Sequence, residues 1–475
     1  MTFDKKTAEL VRAYLADHRS EMVKDLMRLI RVPSIRSDPE PDAPFGENCR
    51  KALLEAVSLF RENGFDARAS EGNRYGIATY GEGERSIGLF GHTDVVPVGD
   101  DWDYCPPFEP IETEGCVVGR GSVDNKAAVV ISLYVMRAVR DLGLPVGGKI
   151  VTFLGAAEET GMEDIEAFVK ENPMPDFSIT PDNEYPVSLG EKGICRFFVR
   201  SRETFSDILS FEGGLAFNVV LDKVRIGIRP DSALARAIPE AIKGNDAFSL
   251  TDENGIPTLT AKGVTAHASM PKNSVNAADL ACKLLLSLPA LGEGDRRILE
   301  RAADLLSGVY GEPFDLKTDD PYFGPVTTVN GIVKTADGKL ELSFDFRYGT
   351  AVPAKEIERK IDETLARVGF DLVSLDNDEG FRLPDDQPAA KTVIDVYRRL
   401  TGDDVAKPYY SGGGTYARHL KNAFSVGTSL PGYPLPKMRV GHGGEHQPDE
   451  CINVEGLLGA TLMTLAMITG LFDTL

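Results

Sequence analysis

The 475 residues carry 52 Lys and Arg against 73 Asp and Glu, a formal net charge of −21, and 42% of them are hydrophobic. That length exceeds one simple core and predicts two or three domains, each with enough apolar residues to fold. The acidic balance, without any cluster of five or more basic residues, removes the counterion-release attraction that nucleic-acid binding needs, so neither nucleic acid nor an anionic membrane is expected as a partner.

Residues 1–30 mix acids and bases and hold no apolar stretch with a small-residue cleavage site, so no secretory signal is expected and a cytoplasmic location is. The six cysteines, Cys49, Cys105, Cys116, Cys195, Cys282 and Cys451, are far apart without CxxC spacing. They read as scattered thiols rather than as a disulfide framework. Apolar residues at three- and four-residue intervals over 48–64 predict an amphipathic helix stopping at Gly64. A buried strand follows over 86–96, with Gly91, His92 and Asp94 at its end. After a helix over 126–142, a second buried strand over 149–159 ends in Glu158 and Glu159.

This alternation predicts an α/β fold with a mainly parallel central sheet flanked by helices, in which ligands collect beyond the carboxyl ends of the strands. From about residue 190 the pattern changes to alternating stretches such as CRFFVRSR, KVRIGIR and KLELSFDFRYG, with a helix over 275–288, which predicts an α+β domain. Helical and Gly-rich patterns return after about residue 385. The expected organisation is therefore a catalytic domain in two parts, 1–189 and 385–475, interrupted by a large inserted domain, 190–384. Residues 456–472 carry no charge but are broken by three Gly and three Thr. At 17 residues, a buried helix is expected there rather than a membrane span.

Four of the six histidines, His92, His267, His442 and His446, stand in Gly-rich or strand-end contexts; His18 and His419 complete the set. Asp94, two residues after His92, can place a carboxylate behind the imidazole and fix its tautomer. Asp124, in GRGSVDNKAA, reads either as the N-cap of the next helix or as a ligand. Glu158 and Glu159 could be a solvated loop entry, yet adjacent carboxylates can diverge so that one binds a metal and the other moves protons. Asp182, after FSIT, lies at another strand end, where turn chemistry alone would also explain it. Two His, two Asp and two Glu form a consistent ligand list for Zn2+, Mn2+ or Co2+. Spacing does not say which histidine completes it.

The strings GHTDVVPVGDDW, GRGSVDNKAA, AAEETGMEDIEAF, TPDNEYPVSLGEKGI, GVTAHAS, GGGTYAR and GEHQPDE occur in the order found in dinuclear metallopeptidases and deacylases. That group includes aminoacylase, acetylornithine deacetylase, succinyl-diaminopimelate desuccinylase and carnosinase. PDxEYP, GGGTYAR and the large insertion resemble more narrowly the PepV-type, or Xaa-His, dipeptidases. The resemblance implies two divalent metal ions, with Zn2+ expected and Mn2+ or Co2+ as alternatives. By the same resemblance His92 and Asp182 bind one ion, Glu159 and His446 the other, and Asp124 both. Asp94 sits behind His92, and Glu158 is the general base and acid. In the inserted lid domain, Asn218 and His267 match residues that approach the developing oxyanion, and Arg347 matches one that grips a terminal carboxylate. Gly413, within the triglycine, matches a close approach of backbone to substrate. Asn125 stands where many relatives carry a second Asp, Ala127 where Gly is frequent, and Leu221 where Pro is expected. His442 rivals His446, and the QPDE that follows favours His446.

The expected activity is hydrolysis of short peptides, most simply of dipeptides held by their C-terminal carboxylate. The alternatives are a deacylase of N-acyl amino acids and a non-catalytic metal-binding protein. An insertion this large could supply internally what shorter relatives take from a neighbouring subunit, so a monomer is expected, with a dimer as the alternative.

Overall fold

The structure, a computed structural model, describes residues 3–475 and divides into two compact units. The first comprises the described residues up to Gly190 with Arg382–Ser411 and Thr415–Leu475; the second comprises Glu191–Phe381 and Gly412–Gly414.

The sheet of the first unit is parallel at its centre. Strands Lys149–Gly155, Ser86–His92, Phe177–Asn183 and Ala423–Gly427 lie side by side in that order and run the same way. Antiparallel strands Gly76–Tyr80 and Asp66–Ala69 extend one edge, and Ser188–Glu191 is antiparallel at the other. The central strands are apolar almost throughout, with Ile87, Leu89, Phe90, Ile150, Phe153 and Leu154 all buried, because helices cover both faces of a parallel sheet. The predicted helix over 48–64 runs over Glu47–Glu62, burying Leu53, Val57 and Phe60. Gly64 follows it at φ 82°, a left-handed conformation that glycine adopts without strain. The last helix, Val454–Phe472, is long and apolar but mostly buried. It packs against helices Pro388–Thr401, Lys126–Asp141 and Lys5–Asp17. The Asn453 side chain caps it by accepting from the Glu455 and Gly456 N–H groups.

Two registers prepare the site. His92 pairs with Gly155, so the ends of strands Ser86–His92 and Lys149–Gly155 are level. A Cβ on Gly91 would lie 2.9 Å from the Ala128 Cβ and 3.0 Å from the Asn125 Oδ1, so only glycine lets the start of helix Lys126–Asp141 approach this strand end.

The second unit is α+β. Strands Ile208–Glu212, Lys223–Ile228, Ile256–Lys262 and Phe248–Glu253 form an antiparallel sheet of four. A second sheet is built on Gly193–Ser201, between Lys339–Tyr348 and Phe370–Asp378. Helices Ala233–Ala241, Ala277–Leu286, Glu293–Leu306 and Ala354–Val368 bury apolar stripes in the unit's own core. The Ala277–Leu286 helix, expected over 275–288, begins where Asn276 caps it.

Candidate metal centre

Six of the residues read from the sequence meet at the carboxyl end of the parallel strands. His92 ends its strand, Glu158 and Glu159 open a short 3-10 turn beyond Lys149–Gly155, and Asp182 lies near the end of Phe177–Asn183. Asp124 precedes helix Lys126–Asp141, and His446 stands in the loop before Cys451–Asn453. Asp124 is not the N-cap, which is Asn125. Its carboxylate instead divides between two imidazoles, Oδ1 lying 3.1 Å from His92 Nε2 and Oδ2 lying 2.8 Å from His446 Nε2. Asp182 Oδ1 is 3.7 Å from His92 Nε2, and Glu159 Oε1 is 3.2 Å from His446 Nε2. Glu158 Oε2 lies 4.0 Å from His92 Nε2.

The backbone around these groups is held by buried carboxylates. Asp94 accepts from the N–H groups of Glu158 (3.2 Å) and Glu159 (3.1 Å). Asp164 accepts from those of Ala156 (2.7 Å) and Ala157 (3.0 Å), and from the Tyr416 hydroxyl. Four consecutive N–H groups leading into the acidic pair are thus fixed by two side chains. Glu450, fully buried, does the same for the Asp124 loop, accepting from the N–H groups of Gly121, Val123 and Asp124 and from Arg120 Nη1. Asn125 joins two strand ends, its Oδ1 accepting from the His92 N–H and its Nδ2 donating to Asp182 Oδ1 at 2.7 Å. Asp94 is behind His92 as expected, but the closest acceptor for Nδ1 is the Asp94 main-chain carbonyl at 3.0 Å, the carboxylate lying at 3.3 Å. A proton on Nδ1 leaves the Nε2 lone pair directed at the acids.

The electrostatics suit cations. Burial raises the Glu158 carboxyl well above its usual range, and repulsion from Asp182 adds to it. Burial, then Asp124, push Glu159 up to about 7, and burial also raises Asp182. Burial alone would raise Asp124, but its bonds to His446 and His92 outweigh that and hold it below the usual carboxylate range. For His446 burial lowers the imidazole, and Asp124 and Glu159 reverse this and bring it to about 11. Crowded carboxylates that repel, beside imidazoles drawn toward protonation, lack compensating positive charge. Glu158 Oε1 is also buried without a hydrogen-bond partner, and the buried His92 Nε2 has only the Asp124 oxygen close to it, at 3.1 Å. Divalent ions fit this set: the N and O donors His92, Glu158 and Asp182, and those of His92, Asp124 and Glu159, lie within 4.8 Å of one another.

In a third group of donors, Asp103, His442 and Asp449, the carboxylates already have partners. Arg439 pairs with Asp103 at 2.7 Å, and His442 Nδ1 is 2.6 Å from Asp449. Asp449 also accepts from the N–H groups of Asp103 and Tyr104. His442 is therefore occupied in holding the loop that carries His446.

The remaining residues read from the sequence lie in the second unit. Asn218 lies in a turn before Val219, which bridges His267, and the Ala268 N–H donates to the Asn218 carbonyl at 2.8 Å. His267 Nδ1 accepts from the Ser269 N–H (3.2 Å) and lies 2.7 Å from the Ser269 hydroxyl, which places the ring proton on Nε2. Arg347, 3% exposed, donates through Nε and Nη2 to Asp345 and through Nη1 to the Gly412 carbonyl. The Nε–Nη2 edge of the guanidinium is thus held by Asp345. In the triglycine, a Cβ on Gly412, beside Gly413, would lie 2.6 Å from the Ser269 Cβ.

Asp164, Glu450 and Arg120 were not anticipated as supports. All three lie inside the quoted strings, but Arg120 and Glu450 are separated by 330 positions, and nothing local announces their pairing.

The sequence profile of peptidase family M20/M25/M40 matches residues 88–469. "Putative dipeptidase YtjP" of Bacillus subtilis (strain 168) is 28% identical over 458 residues, covering 94% of this chain and 96% of that protein. A "Putative dipeptidase" of Staphylococcus epidermidis is 27% identical over 474 residues, covering 96% of this chain and 98% of that protein. Among solved structures, human carnosine dipeptidase 1 superposes with a TM-score of 0.60 at 15% identity, covering 98% of this chain and 99% of that one. An M20 family metallo-carboxypeptidase from Sulfolobus solfataricus gives 0.57 at 15% identity, covering 96% and 100%. These two structures establish the fold as that of a mixed α/β protein with a mainly parallel central sheet.

Proposed function

The chain belongs to peptidase family M20/M25/M40, a metallopeptidase family, and from that premise we propose that it is a dipeptidase of the PepV type working with two divalent ions. The observation that carries the proposal is Asp124, whose two oxygens each face a different imidazole while Asp182 and Glu159 flank the same imidazoles. His92 and Asp182 would hold one ion, Glu159 and His446 the other, and Asp124 both. Two such ions, Zn2+ most simply, would supply Lewis acidity to the scissile carbonyl and lower the pKa of the attacking water. Glu158 takes the proton of that water and returns it to the leaving amine. A carboxyl whose affinity for protons is raised by burial suits both halves of that task. Asp94 and Asp164 keep its backbone in place. In the second unit, the Nε2–H of His267 and the Asn218 amide are proposed as donors to the developing oxyanion. Arg347, steadied by Asp345, is proposed as the partner of the substrate's C-terminal carboxylate, near the backbone of Gly413.

The test is Glu158→Gln. It should abolish dipeptide turnover while the purified protein still binds about two divalent ions per chain. Turnover within about tenfold of the unaltered enzyme would remove Glu158 from the chemistry.

A further inference from the structure

The second unit presents Asn218 from a surface turn whose tip, Leu215, is fully exposed. The turn is nonetheless seated on a corner of the chain, Asn330–Gly331, between strands Thr327–Val329 and Val333–Ala336. Carbonyl oxygens from both sides of Asn218 converge on Gly331, where a Cβ would lie 2.1 Å from that of Ala216, 2.8 Å from that of Phe217 and 2.7 Å from that of Val219. Only glycine admits so close an approach. The Asn330 carbonyl accepts from the Leu221 N–H at 3.0 Å, a bond that the proline expected at 221 could not make. Asn330 is 2% exposed, and its amide is used at both ends. Its Nδ2 donates to the carbonyls of Ile332 (3.0 Å) and Ser343 (2.8 Å), and its Oδ1 accepts from Asn276 Nδ2 at 3.2 Å. Asn276 Nδ2 also donates to the Asn330 carbonyl at 3.0 Å, while its Oδ1 caps helix Ala277–Leu286 by accepting from the Ala278 and Asp279 N–H groups. The Phe217 ring packs edge-on against Phe198, the centroids 4.9 Å apart.

We propose that Asn330 and Gly331 are positioning residues for the Asn218 amide. The inference rests on the peptidase reading, in which that amide donates to the developing oxyanion, and it adds how the donor is kept in place. Such a donor stabilises the transition state most when it is aimed before the charge develops, within about 0.5 Å of its working position. A surface turn does not reach that precision unaided, because donors on loops are held less exactly than donors on helices or strands. Here the contacts at Ala216, Phe217 and Val219 and the hydrogen bond at Leu221 fix the backbone on both sides of residue 218, which leaves the side-chain torsions as its main freedom. The same anchor serves the His267 segment, since the Ala268 N–H donates to the Asn218 carbonyl (2.8 Å) and the Val220 N–H to the Ala266 carbonyl (2.9 Å). Asn330 is itself locked, because a buried amide bonded at both its oxygen and its nitrogen has one orientation. Neither residue is proposed to touch the substrate.

Hydrogen exchange and steady-state kinetics on the metal-loaded full chain test this together. In Gly331→Ala the added Cβ displaces the turn, so exchange of the Leu221 and Ala268 N–H groups should quicken at least about tenfold, while the N–H groups of strand Lys149–Gly155 in the first unit keep their rates. With leucyl-alanine as substrate, kcat should fall about 100-fold with KM within about threefold, and the metal content should not change. Asn276→Ser keeps a capping oxygen for its helix but removes both donations to Asn330. It should give the same pattern in smaller measure, at least about threefold in kcat and in exchange, and it decides the matter should Gly331→Ala not accumulate as folded protein. On an Asn218→Ala background either substitution should cost less than about threefold more, because the amide it positions is gone. Unchanged exchange in the folded variants, or a loss of kcat equally large on the Asn218→Ala background, would overturn the proposal. If Asn218→Ala alone keeps kcat within about threefold, the oxyanion reading of Asn218 fails, and faster exchange in Gly331→Ala still identifies the seat of the turn.

Discussion

Glu450→Gln should be among the most damaging substitutions near the metal centre, although Glu450 is not proposed to touch metal or substrate. The carboxylate is fully buried and accepts from Arg120 Nη1 at 2.7 Å and from three backbone N–H groups at 2.8 to 3.1 Å, the last being that of Asp124. Glutamine keeps the shape but removes the charge, and it turns one acceptor oxygen into a donor facing those N–H groups. Arg120, 1% exposed, then becomes a buried cation without a counter-charge, a loss of about 3–5 kcal/mol. Unpaired backbone N–H groups add about 1–3 kcal/mol. Burial also raises the Glu450 carboxyl, so the pair carries a desolvation cost that the substitution partly relieves. The net loss should therefore be about 4 kcal/mol, a large part of a typical folding free energy of about 5–15 kcal/mol. Urea unfolding followed by circular dichroism measures it, with metal content read on the same samples. The Arg120→Met, Glu450→Gln double variant removes the orphaned cation and should recover about half of the loss. A loss below about 1 kcal/mol for Glu450→Gln, or a double variant no more stable than the single one, would mean that the buried Arg120–Glu450 pair does not hold this loop.

The two histidines of the last loop should separate cleanly. His446→Ala should lower divalent-ion content and turnover together, whereas His442→Asn, which can still bond Asp449, should keep both within about threefold, as metal analysis and dipeptide assays would show. Lys126 gives a pH signature. It is buried, its Nζ donates to the Val32 carbonyl at 2.8 Å, and burial pushes its pKa down from 10.5 to about 7. Between those values the unfolded chain binds a proton that the folded chain lacks, so this group makes stability rise with pH by up to about 1.4 kcal/mol per unit. Its burial cost is complete below pH 7. Urea titrations from pH 6.5 to 9.5 should show Lys126→Met gaining most over the unaltered protein at the lowest pH, with the gap closing as pH rises.

Local pattern carried the fold far. Parallel strands buried on both faces read as unbroken apolar runs, and polar residues at their ends mark where ligands collect, which is why His92, Glu158, Glu159 and Asp182 were legible together. Asp124 was ambiguous because Asp before a helix is an ordinary cap; the cap position falls to Asn125, and where the two Asp124 oxygens lie, each facing an imidazole, is set by tertiary structure. The carboxylate of Asp94 was expected to serve the imidazole, and it mainly holds the backbone of the acidic pair, a role no i, i+2 spacing reveals. Glu450 and Asp164 act on main-chain N–H groups, which every sequence possesses, so their partners leave no compositional trace. The edge of Arg347 was likewise taken up by Asp345, two residues away on the same strand, where alternation alone says only that both side chains share a face.

Anomalous scattering from crystals soaked in Zn2+ tests the centre most directly. Two peaks are expected, one within coordination distance of His92 and Asp182, the other of Glu159 and His446, with one Asp124 oxygen directed to each. A single peak, or two peaks of which neither contacts Asp124, would contradict that arrangement.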